Sequence, residues 1–157
     1  MEPEIRQVEQ HYLAAVREHT TSQKLATTIR ELLTENAVYT FLNAAGIQEH
    51  SHNVFVYWNE ANLSGRPADP GIVLEVAVQV FAPFTGNDRV ICSSTPAGRA
   101  ATLLHRGPYE QLGIAHSAII DWCRANHHPI TGLRWEIYGR WNNDPDKLET
   151  QVFYLLQ

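Results

Sequence analysis

The spacing of apolar residues changes along the chain, and each change predicts an element. The segment "QHYLAAVREH" (residues 10–19) is apolar and β-capable. From residue 20 to 46, Leu25, Ile29, Leu32 and Leu33 recur at helical intervals, Thr21 or Ser22 can cap the start and Gly46 can end it. That pattern predicts one long helix. Two runs rich in β-branched and aromatic residues follow, "NVFVYWN" (53–59) and "IVLEVAVQVF" (72–81), separated by a polar, Gly/Pro-bearing loop from Glu60 to Gly71. Both runs predict strands. "APFTGNDR" (82–89) is turn-forming and predicts a connection between halves. The order then repeats. "GRAATLLHR" (98–106) is strand-like, and residues 107–126 form a helix with Leu112, Ala115, Ile119 and Trp122 on one face and Pro108 in its first turn. "RWEIYGRW" (134–141) is a strand, 142–147 a turn, and "LETQVFYLL" (148–156) a closing strand.

Each half therefore reads strand, helix, strand, strand. The expected fold is α+β: duplicated βαββ units related by a pseudo-twofold, forming an antiparallel sheet with two long helices on one face and a cleft for a ligand. One domain spans 1–157, with a first repeat at about 5–81, a linker at about 82–97 and a second repeat at about 98–157.

Composition narrows the function classes. The 157 residues are 44% hydrophobic and 18% charged, which suits a globular core, and the net charge of −5 lacks the basic footprint that nucleic-acid binding requires. No apolar run approaches the ~18 residues of a membrane span, so the expectation is a soluble cytoplasmic protein. Cys92 and Cys123 match neither a CxxC motif nor a disulfide framework and read as reduced structural thiols. Eight histidines include two close pairs, His50 with His52 and His127 with His128, but neither has a carboxylate or cysteine at zinc spacing. His105 and His116 read as a strand end and a helix residue. No metal or other cofactor is expected, and there is neither a nucleophile elbow nor a phosphate-cradling glycine loop.

One acid stands out. In "LRWEIYGRWNNDP", Glu136 sits among two tryptophans, an isoleucine and a tyrosine. Strand alternation puts Glu136 beside Tyr138 and turns Trp135 and Ile137 to the other face. The alternatives are an edge glutamate meeting water or an acid in a pocket, where desolvation would raise its pKa. Glu75 interrupts "IVLEVAVQV" in the same way, but its aliphatic neighbours favour a solvent-facing position.

The succession "HRGPYEQLG", a helix, "WEIYGRWNNDP" and "LETQVFYLL" resembles the second half of the GyrI-like domain, the drug-binding module also found as the effector-binding part of AraC-type and MerR-type regulators. "LLTENAVYTFLNAAGI" with "HNVFVYWN" resembles its first repeat. The resemblance covers nearly the whole chain. It implies a hydrophobic cleft with an acid at its floor, matched here by Glu136, with Tyr138 two residues on. The pseudo-symmetric strand sets Phe55 and Tyr57 at the corresponding positions, and Tyr109 and Trp141 complete the candidate ligand contacts; all four are also ordinary core chemistry. Two functions are in play. The first is a free-standing sensor or sequestering protein for lipophilic, aromatic or cationic molecules, acting on transcription through a regulator partner, on DNA gyrase as in that family, or as a homodimer. The second is a GyrI-like hydrolase that opens cyclopropane-bearing genotoxic compounds, with Glu136 as general base and Tyr138 as hydrogen-bond donor. A purely structural protein is a third class, favoured if Trp135, Trp141 and Phe55 filled the cleft.

Overall fold

A computed structural model describes residues 2–59 and 71–157; the expected loop from Glu60 onward lies, up to residue 70, outside the described residues. Eight strands form one antiparallel sheet: β1 (Glu4–Val8), β2 (Tyr12–Thr21), β3 (Glu49–Asn59), β4 (Gly71–Val80), β5 (Ile91–Ser94), β6 (Gly98–Arg106), β7 (Ile130–Tyr138) and β8 (Glu149–Leu156). Their spatial order is β1-β6-β8-β7-β3-β4-β2-β5. The centre is the β3–β7 pair, and each half lays out its strands in mirrored order on either side of it. The short outer strands are exchanged. β1 precedes β2 in the chain but pairs with β6, and β5 precedes β6 but pairs with β2. The two connections meet where they cross: His11 donates its backbone N–H to Thr95 Oγ1 and accepts from the Thr95 N–H, both at 2.9 Å.

The expected long helix is two. α1 (Leu25–Glu35) and α2 (Ala37–Ala45) break at Asn36, which is left-handed at φ 56°. Asparagine tolerates that conformation, and here it closes α1 through its N–H to the Leu32 carbonyl. Thr20 and Thr21 belong to β2 rather than to the helix, and Ser22 caps nothing; Lys24 stands at the cap position without a side-chain bond. α3 (Leu112–Ala125) follows a one-turn 3-10 segment at Tyr109–Gln111. Its buried stripe is Leu112, Ala115, Ile119 and Cys123; Trp122, expected on that face, packs against the same core from its partly buried edge and also stacks on His128. No helix among the described residues is long and apolar enough to cross a membrane.

The three described α-helices pack on one face of the sheet. α1 and α2 cover Ala14, Val16, Leu74, Val76 and Val78, while α3 covers Ala101, Leu103, Val152 and Leu156. Among the described residues no α-helix lies on the opposite face, yet Leu13, Ala15, Val56, Ala77, Ala100, Trp135 and Phe153 are buried there in a single cluster. Ala15 on β2 and Ala100 on β6 lie near opposite ends of the strand order, so the sheet curls to cover its own face, and small residues permit the close approach. Trp135 stacks flat on Phe153 with ring centroids 5.0 Å apart. That curl opens the helix-bearing face at the sheet's centre, leaving space between α1 and α3 above β3 and β7.

Candidate functional site

That space is a cleft of about 780 Å³. Its floor comes from alternate residues of the central strands: Phe55 and Tyr57 from β3, Arg134, Glu136 and Tyr138 from β7, and Tyr154 from β8. Phe55 and Glu136 are direct partners across the β3–β7 ladder, so a ring and a carboxylate stand side by side on the pseudo-twofold. One wall is Leu25, Ile29 and Leu33 of α1; the other is Tyr109, Leu112 and His116. Trp141 stands at the mouth, 72% exposed and beyond the end of β7, where the expected strand to residue 141 instead stops at Tyr138. Gly139 makes the exit: a Cβ there would come within 3.0 Å of the Glu149 carbonyl, to which its own N–H bonds.

Glu136 is only 4% exposed. A buried carboxylate has to be compensated by hydrogen bonds. Oε1 accepts from the Tyr57 hydroxyl at 2.7 Å and from the Tyr138 hydroxyl at 2.8 Å, and Oε2 lies 2.7 Å from His116 Nε2. The other imidazole nitrogen, Nδ1, is 2.8 Å from the Tyr154 hydroxyl. Five side chains from four elements thus form one polar network under an aromatic surround. Phe55 and Tyr109 each contact the Tyr138 ring, at centroid distances of 5.0 and 5.3 Å.

The tyrosines are held protonated. Burial first, then the adjacent Glu136 charge, raises the Tyr57 hydroxyl well above the usual tyrosine value. The same two causes, in the same order, raise Tyr138 strongly. Burial pushes Tyr154 up to about 12, with the Arg134 charge opposing the rise. Tyr109 is raised by burial alone.

All six residues singled out from the sequence line this cleft. Ten that also line it were missed as contacts, among them His116, which had been read as a plain helix residue, Tyr154 and Arg134. His116 lies one helical turn from both Leu112 and Ile119, on the buried stripe, and that spacing was the available signal. Trp135 points away from the cleft into the opposite core, so the cleft is not plugged by it. Glu75, expected at a solvent-facing position, is fully buried on that opposite face. It is rescued by Arg17, whose Nε and Nη2 donate to Oε2 at 2.9 and 2.6 Å, and by Ser93 at 2.7 Å. Glu75 thus serves an ion pair remote from the cleft. Among the described residues no three His, Cys, Asp or Glu side chains come together as a metal-ligand group. His50 and His52 stack on each other at 5.0 Å.

A family model described as the GyrI-like small molecule binding domain matches residues 1–156. Comparison with curated proteins gives no match. Among solved structures, the C-terminal domain of EcmrR is similar with a TM-score of 0.73 at 18% identity, covering 99% of this chain and 97% of that one. SAV2435 bound to tetraphenylphosphonium is similar with a TM-score of 0.73 at 9% identity, covering 100% and 94%. A hydrolase from Listeria innocua gives a TM-score of 0.57 at 13% identity, covering 99% and 92%. At these identities the likeness to the solved structures is one of fold.

Proposed function

Because the chain belongs to the family of GyrI-like small molecule binding domains, we propose that its cleft binds a lipophilic, aromatic molecule carrying a positive charge, with Glu136 as the counter-charge. The observation that carries this reading is the Glu136 carboxylate itself, 4% exposed, facing a cleft and held by three donors. Structural cores seldom keep a carboxylate where water can reach only one side of it. A cleft of about 780 Å³ falls within the size range of small-molecule sites. Phe55, Tyr109 and Tyr138 offer ring faces and edges on which an aromatic cation can stack while its charge approaches Oε1 or Oε2. SAV2435, of the same fold, is bound to a ligand of this type, tetraphenylphosphonium.

The test is a titration with tetraphenylphosphonium followed by calorimetry, comparing the parent protein with Glu136→Gln. Glutamine keeps the shape and removes the charge, so affinity should fall by about tenfold or more. Undiminished binding by Glu136→Gln would remove Glu136 from the site.

A second reading, hydrolysis of cyclopropane-bearing compounds, is favoured by the carboxylate's remaining capacity. A carboxylate offers about four acceptor positions and three are engaged, which leaves one for a water. In that reaction Glu136 takes a proton from the water and the water oxygen bonds to a ring carbon. The strained carbon–carbon bond breaks, and its electron pair moves onto a conjugated carbonyl oxygen of the ligand. As Glu136 gains the proton its hold on Tyr138 weakens, and that hydroxyl becomes free to donate to the new oxyanion. Mass spectrometry of a cyclopropane-containing alkylator incubated with the protein decides: a water adduct made by the parent and absent with Glu136→Gln supports hydrolysis, and no adduct leaves binding alone.

A further inference from the structure

We propose that the ligand is zwitterionic: an aromatic molecule whose cationic end meets Glu136 and whose anionic end, a carboxylate or similar oxyanion, is taken by Arg134. The proposal rests on the binding reading above and names its ligand class more narrowly.

Arg134 lies two residues before Glu136 on the same face of β7, which puts the two backbone positions about 7 Å apart. Both line the cleft, so its floor presents one negative and one positive side chain rather than an acid alone. A simple cation is drawn by one and repelled by the other. A molecule with both charges satisfies the two together.

Arg134 is also prepared for an anion. Its guanidinium lies over the Tyr57 ring, 5.3 Å from the centroid. Nη1 is tied back, at 3.1 Å to Asn59 Oδ1 and 3.4 Å to the Gly132 carbonyl. Gly132 sits where the β7–β8 register shifts, between Ile130 and Arg134, at a φ of 98°. Nε and Nη2 form the other edge of the guanidinium, and neither has an acceptor among the described residues. That edge is the fork that grips a carboxylate with two parallel bonds. Among the described residues four other arginines use the same edge: Arg6 on Glu4, Arg17 on Glu75, Arg89 on Glu35 and Arg106 on Glu149. Arg134 is half-buried, oriented by a ring and two oxygens, and forms no ion pair with a carboxylate among the described residues. Its open fork lacks the carboxylate that the other four have found within the protein.

The test uses two rhodamine dyes that share one xanthene ring system, one bearing a free carboxylate and the other its methyl ester. Both carry the delocalised cation; only the first carries the anion. Fluorescence anisotropy gives the two dissociation constants. The parent protein should bind the acid about tenfold tighter than the ester, the worth of a charge-assisted hydrogen bond. Arg134→Met should bring the ratio close to one, Arg134→Lys should keep part of it, and Glu136→Gln should weaken both dyes while preserving it. An ester that binds as tightly as the acid to the parent overturns the proposal, and so does a preference that survives Arg134→Met. If neither dye binds, the cleft reading itself fails and takes this one with it; if both bind equally, only the zwitterion is lost.

Discussion

Raising the pH should unfold this protein by a route set by its cleft. Tyr57, Tyr138 and Tyr154 all have hydroxyl pKa values raised by burial above the ordinary value of 10.0. In the unfolded chain each ionises near pH 10; in the folded one burial holds each proton on to higher pH, for Tyr154 up to about 12. Above pH 10 the unfolded state therefore binds fewer protons than the folded one, and stability falls as pH rises. The contribution is fully present below pH 10. A tyrosine that keeps its proton in the folded state at pH 11 withdraws about 1.4 kcal/mol, so three of them withdraw up to about 4 kcal/mol, a large part of the roughly 5–15 kcal/mol that holds a small domain together. Urea unfolding followed by circular dichroism at pH 8 and pH 11 measures this directly. Tyr57→Phe isolates one share, because phenylalanine keeps the ring and cannot ionise; its loss between the two pH values should be smaller by about 1.4 kcal/mol than the parent's. A parent protein that loses less than about 1.4 kcal/mol would refute the reasoning, since the network could not then be holding three hydroxyls protonated. An unchanged loss in Tyr57→Phe would show that this hydroxyl ionises freely in the folded state.

Two other substitutions separate the architecture from the site. Arg17→Met should cost more than Glu75→Gln in chemical denaturation, about 3–5 against 1–2 kcal/mol, because Arg17 is half exposed and can return to water while Glu75, fully buried, would be stranded with Ser93 alone. Trp135→Ala removes the ring stacked on Phe153 and should lower stability by about 3–5 kcal/mol, yet leave dye affinity unchanged at temperatures where the variant is folded, since Trp135 lies on the face opposite the cleft.

Alternation made much of the site legible. A period of two along β3 and β7 was enough to put Phe55 with Tyr57 and Glu136 with Tyr138, because antiparallel strands show one face at every second residue. What alternation cannot supply is which other element arrives above that face. His116 reaches Glu136 from α3, twenty residues away, and Tyr154 reaches His116 from β8; these meetings depend on packing angles that a linear pattern does not encode. Nothing in the sequence marks Arg134; the register of β7 against β3 sets it over Tyr57. The fold was legible where strands are apolar and hidden where they are not. β1, "EIRQV", and β5, "ICSS", are short outer strands with little burial, so nothing in their composition marks them; β5 fell inside a stretch expected to be linker. The break at Asn36 was masked because Leu32 and Leu42 keep burying themselves on either side of it.

The exchange of the outer strands bears on how the chain comes apart. With β1 laid along β6 and β5 along β2, each half lends backbone hydrogen-bond partners to the other, and the crossing is clasped by His11 and Thr95. Peeling one half away would strip an edge from its neighbour and leave unpaired amides on a ladder that had been closed. The two halves are therefore handcuffed: the protein opens as a whole, and a cleft whose floor straddles both is lost or kept in one step.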